Sequence, residues 1–156
     1  MRHKPAGRFD ALIVGLRQAL HDTALSREMV ARQVASWTLD EILQFRKNFE
    51  QRLARTWRWD LWAIGSIFTG QTPPGFCLGF EHWLILQGDE FLEQALRKPD
   101  ATTSRLDPGT PSTNFHLEEP LWGPIDDALV RRGQVGFRHI GEIREGGSPS
   151  GKRWGW

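Results

Sequence analysis

"WTLDEILQFRKNFEQRLARTW" (residues 37–57) is the stretch on which the fold turns. Thr38 stands at an N-cap position with Glu41 three residues on, the reciprocal arrangement of a capping box. Trp37 before the cap and Ile42 after it can form the hydrophobic staple. From there Ile42, Phe45, Phe49, Leu53 and Trp57 recur at steps of three or four, and Arg46, Lys47, Glu50, Arg52 and Arg55 take the other side. The spacing predicts an amphipathic helix of about five turns with an aromatic stripe facing a core. Trp57, the last member of the stripe, is expected to be deeply buried.

Upstream, Phe9, Leu12, Ile13, Leu16 and Leu20 predict a helix over about Phe9 to His21. A shorter one is expected near Ser26 to Ala35, carrying Met29, Val30 and Val34. Downstream, "RWDLWAIGSIFTGQTPPGFCLGFEHWLILQG" (residues 58–88) holds three of the eight tryptophans. Asp60 can cap a helix reaching about Phe68, and the prolines and glycines of "TGQTPPG" then make a loop. A helix from about Phe76 to Gln87, with Phe80, Trp83 and Leu84 on one face, stops at Gly88. "DEFLEQALRK" adds a short helix that Pro99 ends. Residues 99–115 read as a Pro/Ser/Thr-rich mobile connector of roughly fifteen residues. "EEPLWGPIDDALVRRG" resumes helix, with Pro124, Asp126 and Asp127 placed in its first turn. Gln134 to Ile143 could be extended, and residues 146–156, ending "RWGW", form a flexible tail. The fold class expected is mainly α: one domain over residues 1–145, a bundle of about six helices.

Charge is almost balanced, 20 basic against 19 acidic residues for a net +1, which argues against a dedicated nucleic-acid binder. One cysteine, Cys77, allows no internal disulfide and suits a reducing cytoplasm. No segment has the ~20 apolar residues of a membrane helix. The apolar run Ala11 to Leu16 is too short for a signal-peptide core. The expectation is a cytoplasmic, unprocessed chain.

The polar residues do not spell a reaction. His3, His21, His82, His116 and His139 show no helical ligand spacing, so no metal site is expected. Cys77 and His82, five apart, would point about 140° away from each other on a helix. The glycines from Gly65 to Gly79 lack the Lys-Ser/Thr ending of a phosphate loop, so no cofactor is implied. Asp60, Glu81 and His82 remain as candidate catalytic residues if they share a cleft. Glu81 and His82 interrupt an otherwise apolar helix, and at least one is expected to point outward.

The elements "RWDLW", "F..WLI..G" and "F..AL..PD", with the preceding capped helix, resemble a bacterial family known only as a domain of unknown function, the DUF family numbered 4240, over roughly residues 38–100. Members often carry Gly-Gly, then Ser and paired acids, before the phenylalanine; here the loop reads Gly70-Gln71-Thr72-Pro73-Pro74-Gly75. The resemblance implies a helical fold and a bacterial origin, and supplies no reaction.

Two readings follow. The first is a protein-interaction module, of accessory or immunity type, that binds and occludes another protein through Asp60, Trp62, Thr72, Pro73 and Glu81. A homo-oligomer is compatible with it. The alternative is a small hydrolase or transferase with a cleft around Asp60, Glu81 and His82. Most aromatics fall at helical steps and are expected as core. Trp57, Trp59 and Trp62 cannot all lie on one face of one helix, so at least one is expected at a groove or surface.

Overall fold

The computed structural model describes residues 7–69, 77–106 and 117–134. Among these it contains seven α-helices and one 3-10 helix: α1 (Arg8–Gln18), α2 (Thr23–Val34), α3 (Leu39–Thr56), α4 (Trp59–Thr69), α5 (Cys77–Leu86), α6 (Asp89–Arg97), the 3-10 helix Pro99–Ser104, and α7 (Glu118–Arg131). The fold is a single helical domain, as the helical periodicities predict.

α3 forms as its sequence dictates. Glu41 N–H donates to Thr38 Oγ1 at 3.2 Å, and Thr38 N–H donates to Glu41 Oε2 at 2.8 Å, closing the capping box. Ile42, Phe45, Phe49 and Leu53 are buried. Trp37 packs on Phe45 with ring centroids 5.5 Å apart. On the other side Arg52 grips Asp89 and Arg55 grips Glu93, pinning α6 to α3.

α5 is the centre of the domain. Every residue from Gly79 to Gln87 is buried, and α1, α3, α4, α6 and α7 all pack against it. A helix apolar on all sides belongs in the interior. Gly88 ends it with φ 98°, a region open to glycine.

Several boundaries differ from the sequence reading. α2 begins at Thr23, because Asp22 caps it, its Oδ1 accepting from Leu25 N–H at 3.0 Å. The expected connector opens instead with the 3-10 helix, in which Thr102, Thr103 and Ser104 hydroxyls donate back to the carbonyls of Pro99, Asp100 and Ala101. Thr102 and Leu106 are buried there. Short hydroxyl side chains that satisfy the local backbone explain order in a stretch that reads as loop. Pro124 lies inside α7, not in its first turn, and the first-turn acids are Glu118 and Glu119. Trp57 is half-buried, because α3 ends at Thr56 and the chain turns at Trp57 (φ −75°, ψ 76°). The rest of the connector, the segment to Ile143 beyond Gln134, and the tail lie outside the described residues.

Candidate functional site

α4 follows α3 after a two-residue bend, and that bend gathers the three tryptophans that one helix would spread apart. Trp62 lies between the others: its ring stacks with Trp57 at 6.1 Å and meets Trp59 edge-on at 5.4 Å. Trp62 is 7% exposed, whereas Trp57 and Trp59 are half-buried. The buried arc of α4 is Leu61, Trp62, Ile64 and Gly65, and the outward arc is Trp59, Asp60, Ala63, Ser66 and Ile67. Ile67 is 76% exposed. Asp60 is the one charged residue of α4, so its outward arc carries a single charge where that of α3 carries several.

Asp60 is not the N-cap the sequence suggests: α4 begins at Trp59, which puts Asp60 inside the first turn. Its Oδ1 accepts from Leu61 N–H at 2.8 Å and from Arg58 Nε at 3.1 Å, and its Oδ2 accepts from Arg58 Nη2 at 2.5 Å. The same guanidinium donates through Nη1 to the Leu96 carbonyl at 2.5 Å. Arg58 thus ties the start of α4 to the end of α6, and Asp60 holds its fork in plane.

Glu81 and His82 are both fully buried, at 0% exposure. This corrects the expectation that one faces solvent: a helix with no polar face at all is central, so both must point inward. Successive residues diverge by about 100° on a helix, and each finds a different tryptophan. Trp62 Nε1 donates to Glu81 Oε1 at 3.2 Å, and Trp122 Nε1 of α7 donates to His82 Nε2 at 2.9 Å. Since Nε2 accepts, the neutral ring carries its proton on Nδ1. Phe49 closes on His82 with centroids 4.9 Å apart.

The candidate residues therefore divide. Asp60 sits on the outward arc; Trp62 and Glu81 lie beneath it, bonded to each other, and form no exposed surface. Thr72 and Pro73 lie outside the described residues. Asp60, Glu81 and His82 do not share an open cleft, since two of them are sealed and directed to separate tryptophans. The sequence reading missed Trp122; the indole donors needed by two polar residues on an apolar helix were the available signal. Among the described residues no group of three or more His, Cys, Asp or Glu side chains is placed to hold a metal. None of the helices among them is long and apolar enough to cross a membrane.

These features define a tryptophan-rich, all-α domain organised around a buried central helix. The chain matches the family described as "Protein of unknown function (DUF4240)" over residues 7–121, and it belongs to that family. The match reaches well beyond the capped helix and "RWDLW", taking in α1, α2 and the start of α7. No curated protein and no solved structure matches the chain.

Proposed function

We propose that this chain is a bacterial, cytoplasmic protein-interaction module, of accessory or immunity type, that acts by occluding a partner protein. The observation that carries the reading is the outward arc of α4, which carries one charge, with Ile67 76% exposed and Trp59 half-buried on the same arc. A surface helix ordinarily turns charge outward; this one offers an isoleucine, an alanine and a tryptophan around a single ion pair. Trp is the residue most often found as an interface anchor, and exposed apolar faces of this kind mark association sites. The Arg58–Asp60 pair at one end gives the rim a polar register mark. The partner surface that fits is apolar, with a hydrogen-bonding group opposite Asp60.

The reading extends the expected set: Asp60, Thr72 and Pro73 stay as partner-binding candidates, Trp59, Ala63 and Ile67 join them, and Trp62 and Glu81 support them from beneath. The test is stoichiometric co-purification from native lysate, comparing wild type with Ile67→Asp and, as a surface control on α7, Val130→Asp. Loss of one defined partner with Ile67→Asp but not with Val130→Asp supports the proposal. Equal retention by both variants, or no stoichiometric partner with wild type, sinks it. Asp60→Asn keeps an oxygen for the Leu61 N–H and weakens the ion pair, so it should reduce partner affinity without unfolding the chain.

A further inference from the structure

A second feature lies where α5 ends, sharing no residue with the outward arc of α4. Arg17, in the last turn of α1, donates from Nη1 to the main-chain carbonyl of Gln87 at 2.9 Å. Arg105, which closes the 3-10 helix, donates from its own Nη1 to the same oxygen at 3.2 Å and to Gln87 Oε1 at 3.3 Å. The two cationic nitrogens are therefore no farther apart than those two bonds laid end to end. The Arg105 guanidinium carbon lies 4.3 Å over the Phe91 ring, which holds its plane.

A helix C-terminus explains one cation there, because its carbonyls carry about half a negative charge. It does not balance two. Among the described residues neither arginine has a carboxylate within salt-bridge range. Of the acids in the first turn of the adjoining α6, Asp89 is held through both oxygens by Arg52, and Glu90 is exposed. Each of the two guanidiniums spends only Nη1, leaving Nε and Nη2 as donors. Gly88 keeps the corner open: a Cβ there would meet only Arg17 Nη1, at 3.7 Å.

We propose that Arg17 and Arg105 form a binding site for a doubly charged oxyanion, a phosphate monoester or a dicarboxylate, at the α5–α6 corner. Two guanidiniums that meet at one carbonyl through Nη1, each with Nε and Nη2 not spent there, suit an acceptor with several oxygens and a charge near −2. Gly88 lets that group approach the backbone.

The probes are inorganic phosphate, succinate and acetate, titrated into the full chain at constant ionic strength while the Gly88 amide is followed by NMR. Saturable shifts with phosphate or succinate, at least about tenfold tighter than with acetate, support the site, and the tighter of the two dianions names the ligand class. Arg105→Gln removes charge-assisted donors and should weaken binding about tenfold, with Arg105→Lys falling between. Arg17→Gln, on a different helix, must weaken it as well, so a folding defect in one variant leaves the other to decide. Shifts that never saturate, or that saturate alike in wild type and both glutamine variants, overturn the proposal.

Discussion

Trp122→Phe tests whether the buried polar pair is held as the geometry shows. Trp122 is 8% exposed and gives its only polar hydrogen to His82 Nε2 at 2.9 Å. Its ring also meets Phe49 edge-on at 5.2 Å. Phenylalanine keeps an aromatic face and removes the pyrrole edge with its N–H. The single lone pair on Nε2 is then left buried without its donor, which costs about 1–3 kcal/mol. The lost ring volume, roughly 40 Å³, adds about 1 kcal/mol at ~24 cal/mol per Å³ of cavity. The expected total is about 2–4 kcal/mol, a fall in Tm of roughly 5–15 °C for a domain of this size. Urea unfolding followed by far-ultraviolet circular dichroism should show the midpoint fall with the slope unchanged. A loss below about 0.5 kcal/mol, less than the hydrogen bond alone should cost, would refute the reasoning. Combining the change with His82→Leu removes donor and acceptor together, and should cost at least about 1 kcal/mol less than the two singles added.

Thr38→Ala should cost about 1 kcal/mol in the same assay, since it removes one arm of the capping box. Asp89 makes a pH-dependent contribution: hydrogen bonds from Arg52, and the nearby charges of Arg52 and Arg55, hold its carboxyl below the ordinary value of 3.8, against an opposing push from burial. A depressed folded value means that stability is complete above the ordinary value and is lost as pH falls through the lower one. Asp89→Asn should therefore cost about 0.2–1 kcal/mol at neutral pH, screened because the pair is partly exposed, and the difference from wild type should vanish in acid. Gly123→Ala should come out near neutral or stabilising. Alanine favours the helix by about 1 kcal/mol, and the groups its methyl displaces are the flexible ends of Arg27 and Glu119, an exposed ion pair.

The sequence made α3 legible because cap, staple and stripe all point to one helix, and the ends of α5 and α6 followed from Gly88 and Pro99. The rest failed for identifiable reasons. Trp57 keeps the spacing of the stripe but not its burial, since periodicity continues past the residue at which the backbone turns. The 3-10 helix is invisible to periodicity, being shorter than the pattern that would reveal it. Pro124 reads as a start signal, yet Glu118 and Glu119 begin α7 well before it. Asp60 was legible as a residue at the start of α4. That Arg58 also reaches the Leu96 carbonyl was not, because that bond depends on how α6 packs. For Glu81 and His82 the composition of α5 held the answer, but a search for a solvent-facing polar stripe passes over a helix that has none.

That missing stripe also bears on why two polar residues persist at the centre of the domain. An amphipathic helix such as α3 has its rotation about its own axis fixed by which side is greasy. α5 is apolar on every side and packed on five elements, so burial alone rewards many rotations almost equally. Glu81 and His82 break the degeneracy: one must meet the indole of α4 and the other that of α7, and only one rotation meets both. A misrotated α5 strands both groups, at about 1–3 kcal/mol for each acceptor left unmet. The tryptophans are thus donors as much as bulk. Replacing all four residues together (Trp62→Phe, Glu81→Leu, His82→Phe, Trp122→Phe) should leave helix content in place while removing this discrimination. Methyl resonances of Leu84, Ile85 and Leu86 should then broaden or split relative to wild type. A fourfold variant with wild-type line widths and one set of signals would show that shape alone orients the helix, and the role assigned to the polar pair would fall.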